Sequence, residues 1–338
     1  MTSASRQSPL NRSPNWDWKS NAVRGCRIRC FWATATVASA TSRRRKHSLK
    51  VAWRSLSRTT TICWPRSSRP NGHRPWLRRH WKCCRHWSEF MAEKLFAGRT
   101  ALVTGGARGI GRAVCRMLAA QGARVAVNFQ RQAAAAEETV RLIEADAERV
   151  IAVQADVSSE ESVQRLIDTV RRELGPVDLL VNNAGIAESK PHTAVSYARW
   201  REMFAVNVDG PFLVTWAVKD EMIARGFGRI VNISSLAAKV LKPDMIDYAT
   251  TKAAVIAFTR HCAAALAPHV RVNCVAPGLT NTDLAQSANP DAVARLIAAT
   301  PLGRMAEPDE IANVVRFLLS EDSSFVTGQT IVACGGRS

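Results

Sequence analysis

From Gly98 onward the chain alternates short β-branched runs with longer stretches of helical apolar period, and this alternation restricts the fold more than any other feature. Strands are predicted at Thr100–Thr104, Arg124–Asn128, Val150–Gln154, Val177–Val181, Arg229–Ile233, Arg271–Val275 and Thr330–Val332. Helical stretches fall between them, at Gly109–Gln121, Ala134–Ala147, Glu160–Leu174, Ser196–Ala224, Asp247–Ala267 and Pro308–Leu319. Strands that alternate with helices build βαβ units, and those give a parallel sheet with helices on both faces. No linker interrupts residues 91–338, so they read as a single domain of about 250 residues.

Charge separates this region from what precedes it. The 338-residue chain carries a formal +19, but residues 1–90 hold 20 Lys and Arg against 2 Asp and Glu. The remaining 27 and 26 nearly cancel. Residues 1–90 also contain eight of the ten tryptophans and show no helical or alternating apolar period. Three readings fit: an Arg/Ser-rich transit peptide, a basic arm for nucleic acid, or mistranslated sequence upstream of Met91. The composition favours the last, with Met91 opening the domain, and nucleic acid is not an expected partner. The protein would then be cytoplasmic if bacterial, and mitochondrial or plastid if the leader is real. Cys26, Cys30, His80, Cys83, Cys84 and His86 offer ligand types, but no packed element lies between the two groups, so no metal is expected. Cys115, Cys262, Cys274 and Cys334 are widely spaced in apolar patterns and read as reduced thiols rather than a disulfide framework. No apolar run is long enough to cross a bilayer.

The first strand runs into Thr104-Gly-Gly-Ala-Arg-Gly-Ile-Gly111 and then a helix. Gly105, Gly109 and Gly111 let backbone approach a pyrophosphate, and the helix start beside Ile110 offers free N–H groups and partial positive charge. A glycine turn of this kind can also be plain chain geometry. The second strand ends Val127-Asn-Phe-Gln-Arg131, without the acidic residue that holds a ribose 2′-hydroxyl in NAD-preferring folds. Arg108 and Arg131 suit a 2′-phosphate instead, so NADP(H) is expected over NAD(H). Farther along, Tyr248 stands four residues before Lys252 at the start of a helical run, which puts both on one helix face. Alone, that pair is either a proton donor with its activating cation or a polar pair facing solvent.

The ordered set of motifs resembles the short-chain dehydrogenase/reductase family over about residues 97–336. Thr104–Gly111 matches its T-G-x3-G-x-G, and Asn182-Asn183-Ala184-Gly185 its N-N-A-G. Asn207, in Phe204-Ala-Val-Asn-Val, matches the mid-helix asparagine. Ser235, thirteen residues before the tyrosine, matches the serine, and Tyr248 with Lys252 the Y-x3-K. Pro277-Gly278 followed by Thr282 matches the P-G turn. Within the family the chain looks most like the β-ketoacyl-ACP reductase branch. Ala333-Cys334 departs from the usual valine-aspartate before the glycine pair.

The resemblance implies a Rossmann-type doubly wound sheet of about seven strands and an NADPH-dependent reduction of a carbonyl to an alcohol. By the same resemblance Tyr248 donates the proton, Lys252 lowers its pKa and binds the nicotinamide ribose, and Ser235 holds the carbonyl oxygen. Asn207 binds a water that refills the proton path. Asp156 and Val157 contact adenine, Asn183, Ala184 and Gly185 line the cofactor cleft, and Thr282 holds the carboxamide or pyrophosphate. The implied partners are a small carbonyl or alcohol substrate, acyl carrier protein near Lys190, Lys239 and Lys242, and three further copies in a homotetramer. Other alcohol, sugar or steroid dehydrogenases of the family remain an alternative, as does a nucleotide-binding regulator without catalysis.

Overall fold

The computed structural model describes residues 94–286 and 289–337. The readings of residues 1–90, including their Cys and His groups, lie outside the described residues. Seven strands form one sheet: β1 Thr100–Val103, β2 Arg124–Phe129, β3 Arg149–Gln154, β4 Leu179–Asn182, β5 Gly228–Ile233, β6 Val270–Pro277 and β7 Thr330–Ala333. Their order is β3-β2-β1-β4-β5-β6-β7, and every pairing is parallel. The chain builds outward from β1 in one direction, then returns to start the other half at β4. That reversal opens a crevice at the carboxyl ends of β1 and β4, where sheets of this topology bind ligands.

The helices are α1 Gly109–Ala120, α2 Ala133–Ile143, α3 Glu160–Leu174, α4 Tyr197–Phe204, α5 Gly210–Ala224, α6 Ile246–Leu266, α7 Asp283–Gln286, α8 Pro290–Ala298 and α9 Pro308–Leu319. Successive strand residues point to opposite faces, and the core follows that rule. Val103, Val125 and Val127 pack with Leu118 of α1, Ile143 of α2 and Val315 of α9. Leu102, Ala126 and Leu180 pack on the other face with Leu166 of α3, Met222 of α5 and Leu266 of α6.

One stretch differs from expectation. The stretch Ser196–Ala224 is two helices joined by a π-helical turn at Ala205–Asp209. Pro211, at the start of α5, has no N–H to continue a regular ladder. The wide turn places Asn207, which is fully buried. Residues 279–300 contain α7 and a regular α8. Asn289 caps α8, its Oδ1 accepting from the amides of Asp291 and Ala292.

Candidate active site

The site has two ends. At the first, β1 gives way to the glycine loop and α1. Arg108 stands at the N-cap of α1 and supplies no capping side chain. A methyl group on Gly111 would lie 2.1 Å from the carbonyl oxygen of Gly105 and 2.7 Å from Asn183 Nδ2. Only glycine lets the loop fold back on α1 this closely. Asn183 braces the turn, donating through Nδ2 to the carbonyls of Thr104 and Gly105, each at 3.0 Å. Thr104 Oγ1 accepts from the amides of Asn183 and Ala184 at 3.0 and 3.1 Å.

A cleft of about 580 Å³ opens above this turn. Gly105, Arg108, Gly109 and Ile110 form one wall, and Arg131, Asp156 and Val157 another. Asn183, Ala184 and Gly185 lie between them, and Thr282 closes the mouth with Asp283. Gly111 supports the loop from beneath. Gly278 lies at the end of β6, its amide bonded to the Ala333 carbonyl at 2.8 Å, and neither it nor Pro277 reaches the cleft wall. Arg108 spans the mouth, with Nη1 3.1 Å from Asp283 Oδ2.

Asp156 accepts from Ser158 N at 2.9 Å, Ser158 Oγ at 2.6 Å and Gln130 Nε2 at 2.7 Å. Desolvation works against its charge, but the Ser158 and Gln130 hydrogen bonds and the nearby Arg131 outweigh it and hold the carboxyl below its ordinary value. The helix that follows is capped by Ser159, whose side chain accepts from Ser162 N. Loop amides, a helix start, an acid and a basic rim fit a dinucleotide.

The second end is built from side chains. Tyr248 lies in the first turn of α6, with Lys252 one turn later, its Nζ 5.8 Å from the phenol ring centre. Ser235 follows β5 and caps the short helix Leu236–Ala238. Ser234 turns away and donates to the Lys252 carbonyl at 2.7 Å, so Ser235 is the serine beside the tyrosine. Lys252 donates to the Ile233 carbonyl at 2.9 Å and is 5% exposed. Burial lowers its pKa to about 8, partly opposed by Cys274.

The surroundings of Tyr248 oppose its ionisation. Desolvation around its hydroxyl raises the pKa above the ordinary value, and a hydrogen bond with Ser235 offsets part of that. Asn207 Oδ1 accepts from Ile186 N at 2.9 Å, while Nδ2 donates to Ile186 O at 2.9 Å and Thr251 Oγ1 at 3.1 Å. Gly185 joins the two ends. A Cβ there would sit 3.1 Å from Asn207 Oδ1 and 3.3 Å from Lys252 Nζ.

The sequence did not reveal that Thr104, Gln130 and Asn128 brace the site. Asn128 Oδ1 accepts from the Gly105 amide at 3.3 Å, and Nδ2 donates to the Ala155 carbonyl at 3.1 Å. An asparagine inside an apolar strand was the available signal, since a buried amide needs partners. Lys190 corrects a further expectation. Its side chain is 9% exposed and ion-paired inward to Asp247, so it does not form part of a basic surface for a carrier protein. Among the described residues no group of His, Cys, Asp and Glu could hold a metal, and no helix is long and apolar enough to cross a membrane.

Known proteins are similar to this chain. A family model described as Enoyl-(Acyl carrier protein) reductase matches residues 105–338. A 3-oxoacyl-[acyl-carrier-protein] reductase of Synechocystis is 39% identical over 240 residues, 70% of this chain and 96% of the relative. One from Aquifex aeolicus is 40% identical over 243 residues, 71% and 97% of the two chains. The crystal structure of a 3-oxoacyl-[acyl-carrier protein] reductase from Brucella melitensis superposes with a TM-score of 0.68 at 35% identity, covering 72% of this chain and 92% of that one. A second Brucella melitensis structure of such a reductase, with bound NAD, gives 0.67 at 35% identity, covering 73% and 94%. With that fold, glycine loop and coverage, the chain belongs to the short-chain dehydrogenase/reductase family, where it groups with the 3-oxoacyl-[acyl-carrier-protein] reductases as an NAD(P)-dependent oxidoreductase.

Proposed function

We propose that the protein reduces the ketone of a β-ketoacyl thioester, carried on acyl carrier protein or coenzyme A, with NADPH as reductant. The observation that carries this reading is that Tyr248 interacts with Ser235 and stands one helical turn before Lys252, whose Nζ lies beside Gly185 in the wall of the nucleotide cleft. When bound, the nicotinamide supplies a hydride to the carbonyl carbon. Ser235 and Tyr248, whose hydroxyls interact, can each turn an O–H toward one carbonyl oxygen once it lies between them. As the oxygen gains charge, the Tyr248 O–H breaks and an O–H forms on the substrate.

Lys252 stabilises the resulting phenolate through its positive charge. Asn207 Oδ1 accepts one protein hydrogen bond and retains a lone pair. It and the Lys252 ammonium both border Gly185, where a water would return the proton. A pair of oxygen-directed donors supports ketone reduction over reduction of a carbon–carbon double bond, where a proton goes to carbon. Arg131, at the cleft edge beside Asp156, and Arg108 support NADPH over NADH.

Helix α5 carries Phe212 and Trp216, 39% and 44% exposed, their tilted rings 4.4 Å apart, and Phe258 of α6 borders them. That aromatic face supports assembly into a homotetramer, which the solution mass of the full chain would check. The function is tested by following NADPH and NADH oxidation by the full chain with β-ketoacyl thioesters, simple ketones and quinones. The thioesters are expected to give the highest kcat/KM, with NADPH preferred. Tyr248→Phe is expected to reduce kcat by about 10²–10⁴-fold. A Tyr248→Phe protein at the wild-type rate would sink the mechanism, and preferred turnover of simple ketones would move the assignment to another alcohol dehydrogenase.

A further inference from the structure

Next to Tyr248 lies an ion pair that the chemistry above does not use. Asp247 is fully buried, at 0% exposure. Its Oδ1 accepts from the backbone amide of Tyr248 at 2.9 Å. Its Oδ2 lies 3.0 Å from Lys190 Nζ and carries no hydrogen bond of good geometry, so the contact is electrostatic. Among the described residues Asp247 forms no other ion pair.

Lys190 belongs to the segment between β4 and α4, and this segment is fastened to the residues that precede Tyr248. The Lys190 amide donates to the Asp244 carbonyl at 2.8 Å, and Ser189 Oγ to Asp244 Oδ2 at 2.6 Å. The Lys190 ammonium also lies 3.2 Å from Glu188, which accepts from Arg199 Nε at 2.9 Å. Arg199 lines the cleft. Meanwhile Met245, the N-cap residue before α6, supplies no capping side chain. Direct contacts therefore run from the cleft wall to the amide of Tyr248.

We propose that Lys190 and Asp247 act as a positioning pair that sets where α6 begins, and so where the Tyr248 hydroxyl meets Ser235. The proposal rests on Tyr248 being the proton donor. A buried carboxylate stripped of its cation is strongly unfavourable. Without Lys190, Asp247 must turn toward water and draw the first turn of α6 with it. Proton transfer tolerates such movement poorly, since an ångström of misplacement can cost about 10²-fold in rate. The glycine loop sits on other elements, so cofactor affinity should not follow.

The test uses the full chain carrying Lys190→Met, Asp247→Asn, both together, or Tyr248→Phe. The readouts are kcat, KM, NADPH Kd by fluorescence and thermal melting. Each charge variant is expected to lose about 10–100-fold in kcat with an unchanged Kd. The two losses should not multiply, because the groups act through one contact. Neutralising Asp247 while keeping an acceptor for the Tyr248 amide should make Lys190 dispensable. The double variant is thus expected within about threefold of Asp247→Asn in kcat.

If Lys190→Met does not fold, that last comparison stands alone, since neither protein in it carries an orphaned buried anion. A further loss of about tenfold or more in the double variant overturns the pair. So does wild-type kcat in either single variant, or a change confined to melting temperature. An inactive Tyr248→Phe beside a fully active Lys190→Met refutes positioning alone. A fully active Tyr248→Phe refutes the proton-donor reading first.

Discussion

At the phosphate end of the cleft the wall is backbone: glycines, loop amides and the start of α1, braced by Asn183 and Thr104. At the chemical end it is side chain: Tyr248, Lys252 and Ser235, with Lys252 anchored to the Ile233 carbonyl and Ser235 to the Ala237 amide. The two ends meet at Gly185, where an added methyl group would press on Asn207 Oδ1 and Lys252 Nζ at 3.1 and 3.3 Å. A backbone wall fails when an atom is added, whereas a side-chain wall fails when an atom is removed. Damage at the first should appear in cofactor affinity, and damage at the second in turnover.

Gly111→Ala breaks the backbone wall most severely, because its Cβ would meet the Gly105 carbonyl oxygen at 2.1 Å and no rotamer can relieve that. The loop must shift, and NADPH Kd measured by calorimetry or fluorescence is expected to rise by more than about 100-fold. A rise smaller than tenfold would show that the turn does not position the pyrophosphate. Ser235→Ala is the complementary change. It deletes one donor to the oxygen without adding bulk, so kcat should fall by about 10²-fold while NADPH Kd stays within twofold. If Kd moved as much as kcat, the two ends would not be separable.

How far each end could be read from the chain follows from the same difference. Gly105, Gly109 and Gly111 are close in sequence, as are Tyr248 and Lys252, so local spacing exposed both groups. The sheet and its helices were legible because burial on both faces imposes a regular apolar period. The bracing was not legible. Thr104, Asn128 and Gln130 acquire their partners only when β2, β3 and β4 are laid beside β1. The turn at Ala205–Asp209 was hidden because an apolar period continues across it. Lys190 looked like a surface cation because its buried partner belongs to another element.

The rim of the phosphate end sharpens the comparison, being the one part of that wall made of exposed side chains. Arg108 is held by Asp283, and Arg131 flanks Asp156. Arg131→Ala is expected to raise KM for NADPH by roughly tenfold, as loss of one charge-assisted hydrogen bond would. KM for NADH, which has no 2′-phosphate, should change little. Equal effects on both cofactors would remove Arg131 from nucleotide selection. Arg108→Ala should weaken NADPH less, because the guanidinium must first leave Asp283.

The smallest effect near neutral pH concerns Lys252, and it distinguishes the groups within the chemical end. Burial lowers the Lys252 pKa to about 8, while desolvation holds Tyr248 above its ordinary value of 10.0. Reduction requires the phenol protonated and the ammonium charged. As pH rises Lys252 loses its proton first, so kcat/KM for ketone reduction, which reports the free enzyme, should be flat below pH 8 and halve near it. Above that it should fall by about tenfold per pH unit. NADPH Kd, measured in parallel, separates a lost ribose contact from lost activation of Tyr248. A constant Kd with falling kcat/KM assigns the ammonium to the proton transfer, whereas a profile flat to pH 10 would mean that the charge of Lys252 serves neither.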